Sequence, residues 1–126
     1  MYDKKLALET ISLIVENLVI VQQRTEHIDS TDDFISSAQG MILLDSVCMK
    51  LVAVGESIKN LDKLTHKELL IQYPQVAWKQ AMGMRDIIVH HYFDIDAEQI
   101  FDTLKEDIPL LLHTLTEMKA EISQTI

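Results

Sequence analysis

The 126-residue chain has one cysteine, two prolines and three glycines, and aromatic residues make up 6% of it. A single cysteine excludes an intrachain disulfide, and nothing in the cysteine usage places the chain outside a reducing compartment. So few glycines and prolines argue against a turn-rich β-sandwich or barrel. The apolar runs are only a few residues long, so no membrane span and no membrane partner are expected. The opening Met1-Tyr2-Asp3-Lys4-Lys5 runs straight into an amphipathic pattern without the apolar stretch of a signal peptide, so the expected location is the cytoplasm. Positive charge is scarce too. Twenty acids against eleven bases give −9, which argues against holding nucleic acid through a general positive field.

What is present is an ordinary folding composition. Apolar residues are 48% and charged residues 25%, enough to bury a core, and the length suits one domain over residues 1–126. The charge is uneven. Residues 1–40 carry seven acids and three bases, and residues 94–126 carry eight acids and two bases. Residues 41–93 carry five acids and six bases, so only the middle of the chain would not repel a phosphate.

The apolar pattern is helical almost throughout. Ala7, Ile11, Ile14, Leu18 and Val21 recur at steps of four and three, predicting a helix from about residue 3 to about residue 26. Asp29-Ser30-Thr31-Asp32-Asp33 breaks it, with Ser30 or Thr31 as the cap of a short new helix. Leu44, Val47, Cys48, Leu51, Val54, Gly55 and Ile58 form the stripe of a long helix from about 38 to about 60. Thr65-His66-Lys67-Glu68 has capping-box spacing and predicts a short helix over 67–73. Pro74 suits the first turn of the next helix, with Ala77, Ala81, Met84 and Ile88 on its apolar stripe and an end near His91–Phe93. Asp96 with Gln99 starts the last helix, whose stripe is Ile100, Leu104, Ile108, Leu111, Leu115, Met118 and Ile122. Pro109 inside it should kink or divide it. No strand-like alternation or repeat is found, so the expected fold is all-α, an antiparallel bundle of four to five helices. Val19, Ile20, Leu43 and Leu110 lie outside the core stripes and suggest a second buried face in an oligomer.

Polar residues able to do chemistry concentrate in Arg85-Asp86-Ile87-Ile88-Val89-His90-His91-Tyr92. Arg85 and Tyr92 share a helix face, and so do Asp86 and His90, which can hydrogen-bond. Arg85 and His90 sit roughly 140° apart around the axis. They converge on one ligand only if the helix ends near His90 or a second copy of the chain closes the site. The set suits RNA cleavage without a metal. A neutral imidazole can take the proton of a ribose 2′-OH, whose oxygen then attacks the adjacent phosphorus. A guanidinium can hold the phosphate while negative charge builds. The products would be a 2′,3′-cyclic phosphate and a 5′-hydroxyl, and DNA, lacking the nucleophile, would be spared. Asp86 bonded to His90 would fix the ring tautomer.

Each residue also has a structural alternative. Arg85 can pair with Asp86 or cover apolar surface, His90 or His91 can cap a helix C-terminus, and Tyr92 can be a core residue. A metal at His90, His91, Asp94 and Asp96, joined by Glu56 or Glu98, is disfavoured because adjacent histidines point apart on a helix. Cys48 reads as a buried small hydrophobe, Trp78 as a core or interface residue, and His27, His66 and His113 as isolated surface or loop residues.

With these residues in view, Arg85-x4-His90-x-Tyr92 resembles the R-x4-H-x-Y motif of HEPN-domain ribonuclease toxins of the HepT type. Gly55-Glu56, Tyr73-Pro74 with Trp78, Gly83-Met84-Arg85 and Asp107-Ile108-Pro109 resemble that family as well, and the likeness runs from about Lys4 to about Met118. The resemblance implies an all-α bundle that homodimerises through its motif helices and brings two motifs together. It implies a toxin of a toxin–antitoxin pair, a metal-independent endoribonuclease with no cofactor, partnered by a nucleotidyltransferase antitoxin of the MntA type. That antitoxin would use ATP to attach AMP groups to the motif tyrosine. By position, Arg85 and His90 would be catalytic and Tyr92 the AMP acceptor, with Asp86 and the second imidazole, His91, in support. The alternative within the family is a non-catalytic HEPN module that binds a nucleotidyltransferase and positions its substrate.

Overall fold

The computed structural model describes residues 1–90 and 95–126, with His90 described only as the last residue of its helix. Helix α1 spans Lys4–Thr25 and is capped by Asp3, whose carboxylate accepts the Leu6 N–H at 3.0 Å. It buries the predicted stripe Ala7, Ile11, Ile14, Leu18 and Val21. Against expectation, α1 is long and apolar enough by length and composition to cross a membrane. Its stripe is nonetheless buried in the core, and Glu9 and Glu16 lie on its exposed side, as in the core helix of a globular bundle.

Helix α2 (Asp32–Ile35) is short. Neither Ser30 nor Thr31 caps it as predicted. Thr31 has helical rather than extended backbone angles and makes no side-chain cap bond. Asp33, inside the helix, accepts the N–H groups of Asp29 at 2.8 Å and Ser30 at 3.3 Å, which fastens the preceding turn. Helix α3 (Ala38–Leu64) begins under it, capped by Ser37. Gly40 is required there, since a Cβ would stand 2.3 Å from the Asp33 carbonyl oxygen and 2.7 Å from that of Phe34. The whole predicted stripe from Leu44 to Ile58 is buried, and Leu61 extends it.

The predicted capping box at Thr65 is a helix end instead. The Thr65 hydroxyl turns back to donate to the Leu61 carbonyl at 2.7 Å. His66 and Lys67 take φ of 56° and 59°. The N–H groups of His66 and Lys67 bond back to the carbonyls of Lys63 at 3.1 Å and Asp62 at 2.8 Å, the Schellman pattern that closes a helix. The predicted helix over 67–73 shrinks to a 3₁₀ turn at Leu70–Gln72. Pro74 does not open the next helix but lies in a turn, and α4 spans Trp78–His90. The expected helix end at His91–Phe93 lies outside the described residues.

Helix α5 (Ala97–Asp102) starts as predicted, with Asp96 accepting the Gln99 N–H at 3.1 Å. Pro109 divides the last helix as expected. A π turn at Thr103–Asp107 separates α5 from α6 (Ile108–Ser123), which carries Pro109 in its first turn. The widened turn carries the chain past the point where the proline ring would meet the carbonyl one turn back. The stripe from Ile100 to Ile122 stays buried across the division.

α3 lies between α1 and α4, α6 packs on α1, and α2 on α3. No strand occurs among the described residues. The opposite side of α4 looks across a groove of about 580 Å³ toward α5, the π turn and α6, with Ala77, Gly83, Met84, Ile87, Thr103 and Leu110 among its lining. Of the apolar remainder, Val19 and Leu110 are exposed, whereas Ile20 and Leu43 are half-buried and Leu43 packs on the core. Cys48 is buried, and burial, helped by the charge of Asp45, pushes its thiol up to about 11.

Candidate functional site

The site is built on the α3–α4 contact. Gly55 has no side chain, and a Cβ there would lie 3.1 Å from the Ala81 carbonyl oxygen, 3.4 Å from that of Met82 and 3.5 Å from the Arg85 nitrogen. Its absence lets the two helix backbones approach at the level of the motif. The next residue, Glu56, lies on the exposed side of α3 and reaches across: its Oε1 is 3.0 Å from Arg85 Nε. From the other side Asp86 Oδ1 accepts from Arg85 Nη1 at 3.2 Å. The side chains of Arg85, Glu56 and Asp86 are 44%, 50% and 53% exposed. At that exposure each pair contributes roughly 0–1 kcal/mol to stability, so their consequence is orientation.

The predicted pairing of Arg85 with Asp86 is therefore present, through Oδ1 of the carboxylate. A bond between Asp86 and His90 falls outside the described residues, as do His91, Tyr92 and Asp94. His90 is the last residue of α4, five after Arg85. Sequence reasoning missed the role of Glu56. In the sequence it stands only as a distant metal-ligand candidate and as part of the Gly55-Glu56 flank, and that flank is the one signal that points to it.

The remaining candidates have structural duties. Asp96 caps α5, Glu98 is exposed, and no group of three or more His, Cys, Asp or Glu able to hold a metal occurs among the described residues. Trp78 is half-buried, and its indole N–H donates to the Tyr73 carbonyl at 2.9 Å, tying the start of α4 to the turn before it. The buried Tyr73 hydroxyl donates to Glu121, and burial together with this carboxylate raises its pKa. His113 lies 3.9 Å from Glu117 one turn on and is exposed; His66 sits in the left-handed turn that closes α3.

This arrangement can hold a charged guanidinium at the surface on the helix that ends at His90. The family model described as "Ribonuclease HepT-like" matches residues 14–118. The chain belongs to the HepT-like ribonuclease family. Its all-helical bundle is the fold expected of a HEPN domain. The HepT-like chain is 31% identical over 98 residues to a Thermococcus cleftensis protein named "Probable ribonuclease HepT", covering 78% of this chain and 82% of the relative. It is 30% identical over 105 residues to a Methanocaldococcus jannaschii protein named "Putative RNase", covering 82% of this chain and 84% of the relative. A further Methanocaldococcus jannaschii protein, named "Gamma-glutamylcyclotransferase and putative RNase", is 31% identical over 112 residues. That alignment covers 88% of this chain and 46% of the relative, so this chain spans about half of its length. No solved structure matches.

Proposed function

We propose that this HepT-like chain is the toxin of a toxin–antitoxin pair, a metal-independent endoribonuclease acting in the cytoplasm as a homodimer. The observation that carries the reading is Arg85, a half-exposed guanidinium oriented by two carboxylates, five residues before His90 on the same helix. His90 takes the proton of a ribose 2′-OH, and the freed oxygen attacks the adjacent phosphorus. Arg85 holds the phosphate oxygens as charge builds in the transition state. The bond to the 5′-oxygen breaks, that oxygen is protonated, and a 2′,3′-cyclic phosphate remains. His91 is the nearest second imidazole in sequence for that protonation. Because Arg85 and His90 diverge around a straight helix, the motif helix of a second copy completes the site.

Tyr92 is the AMP acceptor in this reading, and the partner is an MntA-type nucleotidyltransferase antitoxin using ATP. Added phosphates near Arg85 would compete for its charge and repel the substrate backbone. The test is induction of the chain alone in a bacterial host. Growth should stop, and Arg85→Ala and His90→Ala should each relieve the arrest while remaining folded; arrest by both variants would remove the catalytic assignment. Mixing the chain with the nucleotidyltransferase encoded beside it and ATP should add AMP-sized mass increments, lost in Tyr92→Phe.

One observation favours a second reading, a non-catalytic module that positions a nucleotidyltransferase's substrate. Glu56 and Asp86 both face Arg85, and the chain carries −9, so the pull on a phosphate is reduced. In that case purified chain leaves RNA intact, yet still binds the nucleotidyltransferase.

A further inference from the structure

We infer that Glu56 is a positioning residue for Arg85, setting which edge of the guanidinium meets the phosphate; this rests on the ribonuclease reading. A guanidinium offers five N–H donors in a planar fork, and phosphate is held best by two parallel donors from one edge. Glu56 engages Nε at 3.0 Å, which removes the Nε edge from use by a ligand. Asp86 engages one Nη1 donor at 3.2 Å from the neighbouring position of the same helix. The donors left to a phosphate are the second one on Nη1 and the two on Nη2. An arginine without this clamp would sample several rotamers and present either edge, because its long side chain keeps about 2 kcal/mol of rotamer entropy.

The backbone supports the same assignment. Glu56 can reach Arg85 only because α3 and α4 touch at Gly55, where a Cβ would press on the Ala81 carbonyl oxygen at 3.1 Å. The glycine sets the helix spacing and the following residue uses it. Both carboxylates are about half exposed, so the clamp adds little to stability, and a stability role does not account for it.

The physical consequence is a split between binding and turnover. Removing Glu56 deletes a negative charge beside the phosphate site, so ground-state binding of RNA should stay the same or tighten. The guanidinium is then no longer held along the line of the transition-state oxygens, and misplacement by about 1 Å can cost up to a hundredfold. The experiment compares full-length wild type, Glu56→Ala and Glu56→Gln in steady-state cleavage of a defined RNA. In parallel, NMR follows solvent exchange of the Arg85 Nε–H, and thermal unfolding is recorded. We expect Glu56→Ala to lower kcat about tenfold or more with KM unchanged or reduced, Tm within a degree or two, and Nε–H exchange accelerated. Glu56→Gln keeps an acceptor for Nε and should recover most of kcat and of the protection.

An unchanged or raised kcat in Glu56→Ala overturns the assignment, and so does a loss of kcat that tracks a large fall in Tm. If wild type cleaves no RNA, the ribonuclease reading falls by itself. The exchange measurement then still decides: Nε–H exchange equally fast in wild type and Glu56→Ala removes the clamp, and slow exchange lost on substitution retains it.

Discussion

The three helices α1, α3 and α6 and the motif helix α4 are built to different standards. Each of the three buries a full stripe, so that Ile11, Leu18, Leu51, Ile58, Leu115 and Met118 are completely or almost completely inaccessible. In α4 the corresponding stripe buries only Ile88; Ala81 and Met84 are half-buried, and Ala77, predicted to belong to the stripe, is exposed and precedes the helix. Helix α4, which carries the proposed catalytic pair, is thus held mainly along one line against α3, and its other side borders the groove toward α6. Gly55 and Glu56 are where the well-packed α3 meets the more exposed α4.

The largest effect that probes this contrast is a cavity at its packed end. Leu51→Ala, at a side chain 0% exposed, should cost about 3 kcal/mol, read as a lowered denaturation midpoint with cooperative unfolding retained. A cost below about 1 kcal/mol would mean the core is not packed as described. Next is the junction. Gly55→Leu forces a side chain against the Ala81 carbonyl and should cost roughly 1–3 kcal/mol while separating α4 from α3. RNA cleavage should fall further than stability explains; activity tracking stability alone would show that α3–α4 spacing does not govern the site.

A third test uses pH. The Cys48 thiol is held up at about 11 from 9.0 by burial and then by Asp45. The folded state therefore binds this proton more tightly than the unfolded state. Its contribution is complete below pH 9 and is lost as pH rises through 9 toward 11, up to roughly 3 kcal/mol. Tyr73 shifts in the same direction, from burial and its bond to Glu121, so its effect comes at higher pH still. Denaturant midpoints should stay nearly level from pH 8 to 9 and decline at pH 10 and again at pH 11, and Cys48→Ala should flatten the first part of the decline. The smallest effect is on α4 itself. A Cβ at Gly83 would meet nothing within 4 Å, so Gly83→Ala should stabilise by about 0.5–1 kcal/mol through helix propensity. Destabilisation would place something against that face in solution, a second copy included.

The sequence made the well-packed helices readable because their stripes satisfy one period over many residues. It did so less well where a local motif has two structural meanings. Thr65-x-x-Glu68 has the spacing of a helix start, but the hydroxyl turns back onto Leu61 and ends α3. Pro74 fits a first helical turn equally well in sequence, yet the chain continues through a turn that the Trp78 indole bonds to, and only then enters α4. Arg85 was legible by its spacing to His90. Its main carboxylate was not, since Glu56 belongs to another helix and meets Arg85 through the close approach at Gly55, which no local pattern encodes.

Cleavage of RNA through the 2′-hydroxyl is the step proposed for Arg85 and His90. The direct measurement is incubation of purified chain with a short RNA and its all-deoxy counterpart in excess EDTA, followed by mass analysis of the ends. The expected outcome is RNA fragments ending in 2′,3′-cyclic phosphate and beginning with 5′-hydroxyl, no cutting of the DNA, and loss of cleavage in Arg85→Ala and in His90→Ala. Intact RNA, fragments with 3′-hydroxyl and 5′-phosphate ends, or full activity in either variant would contradict it.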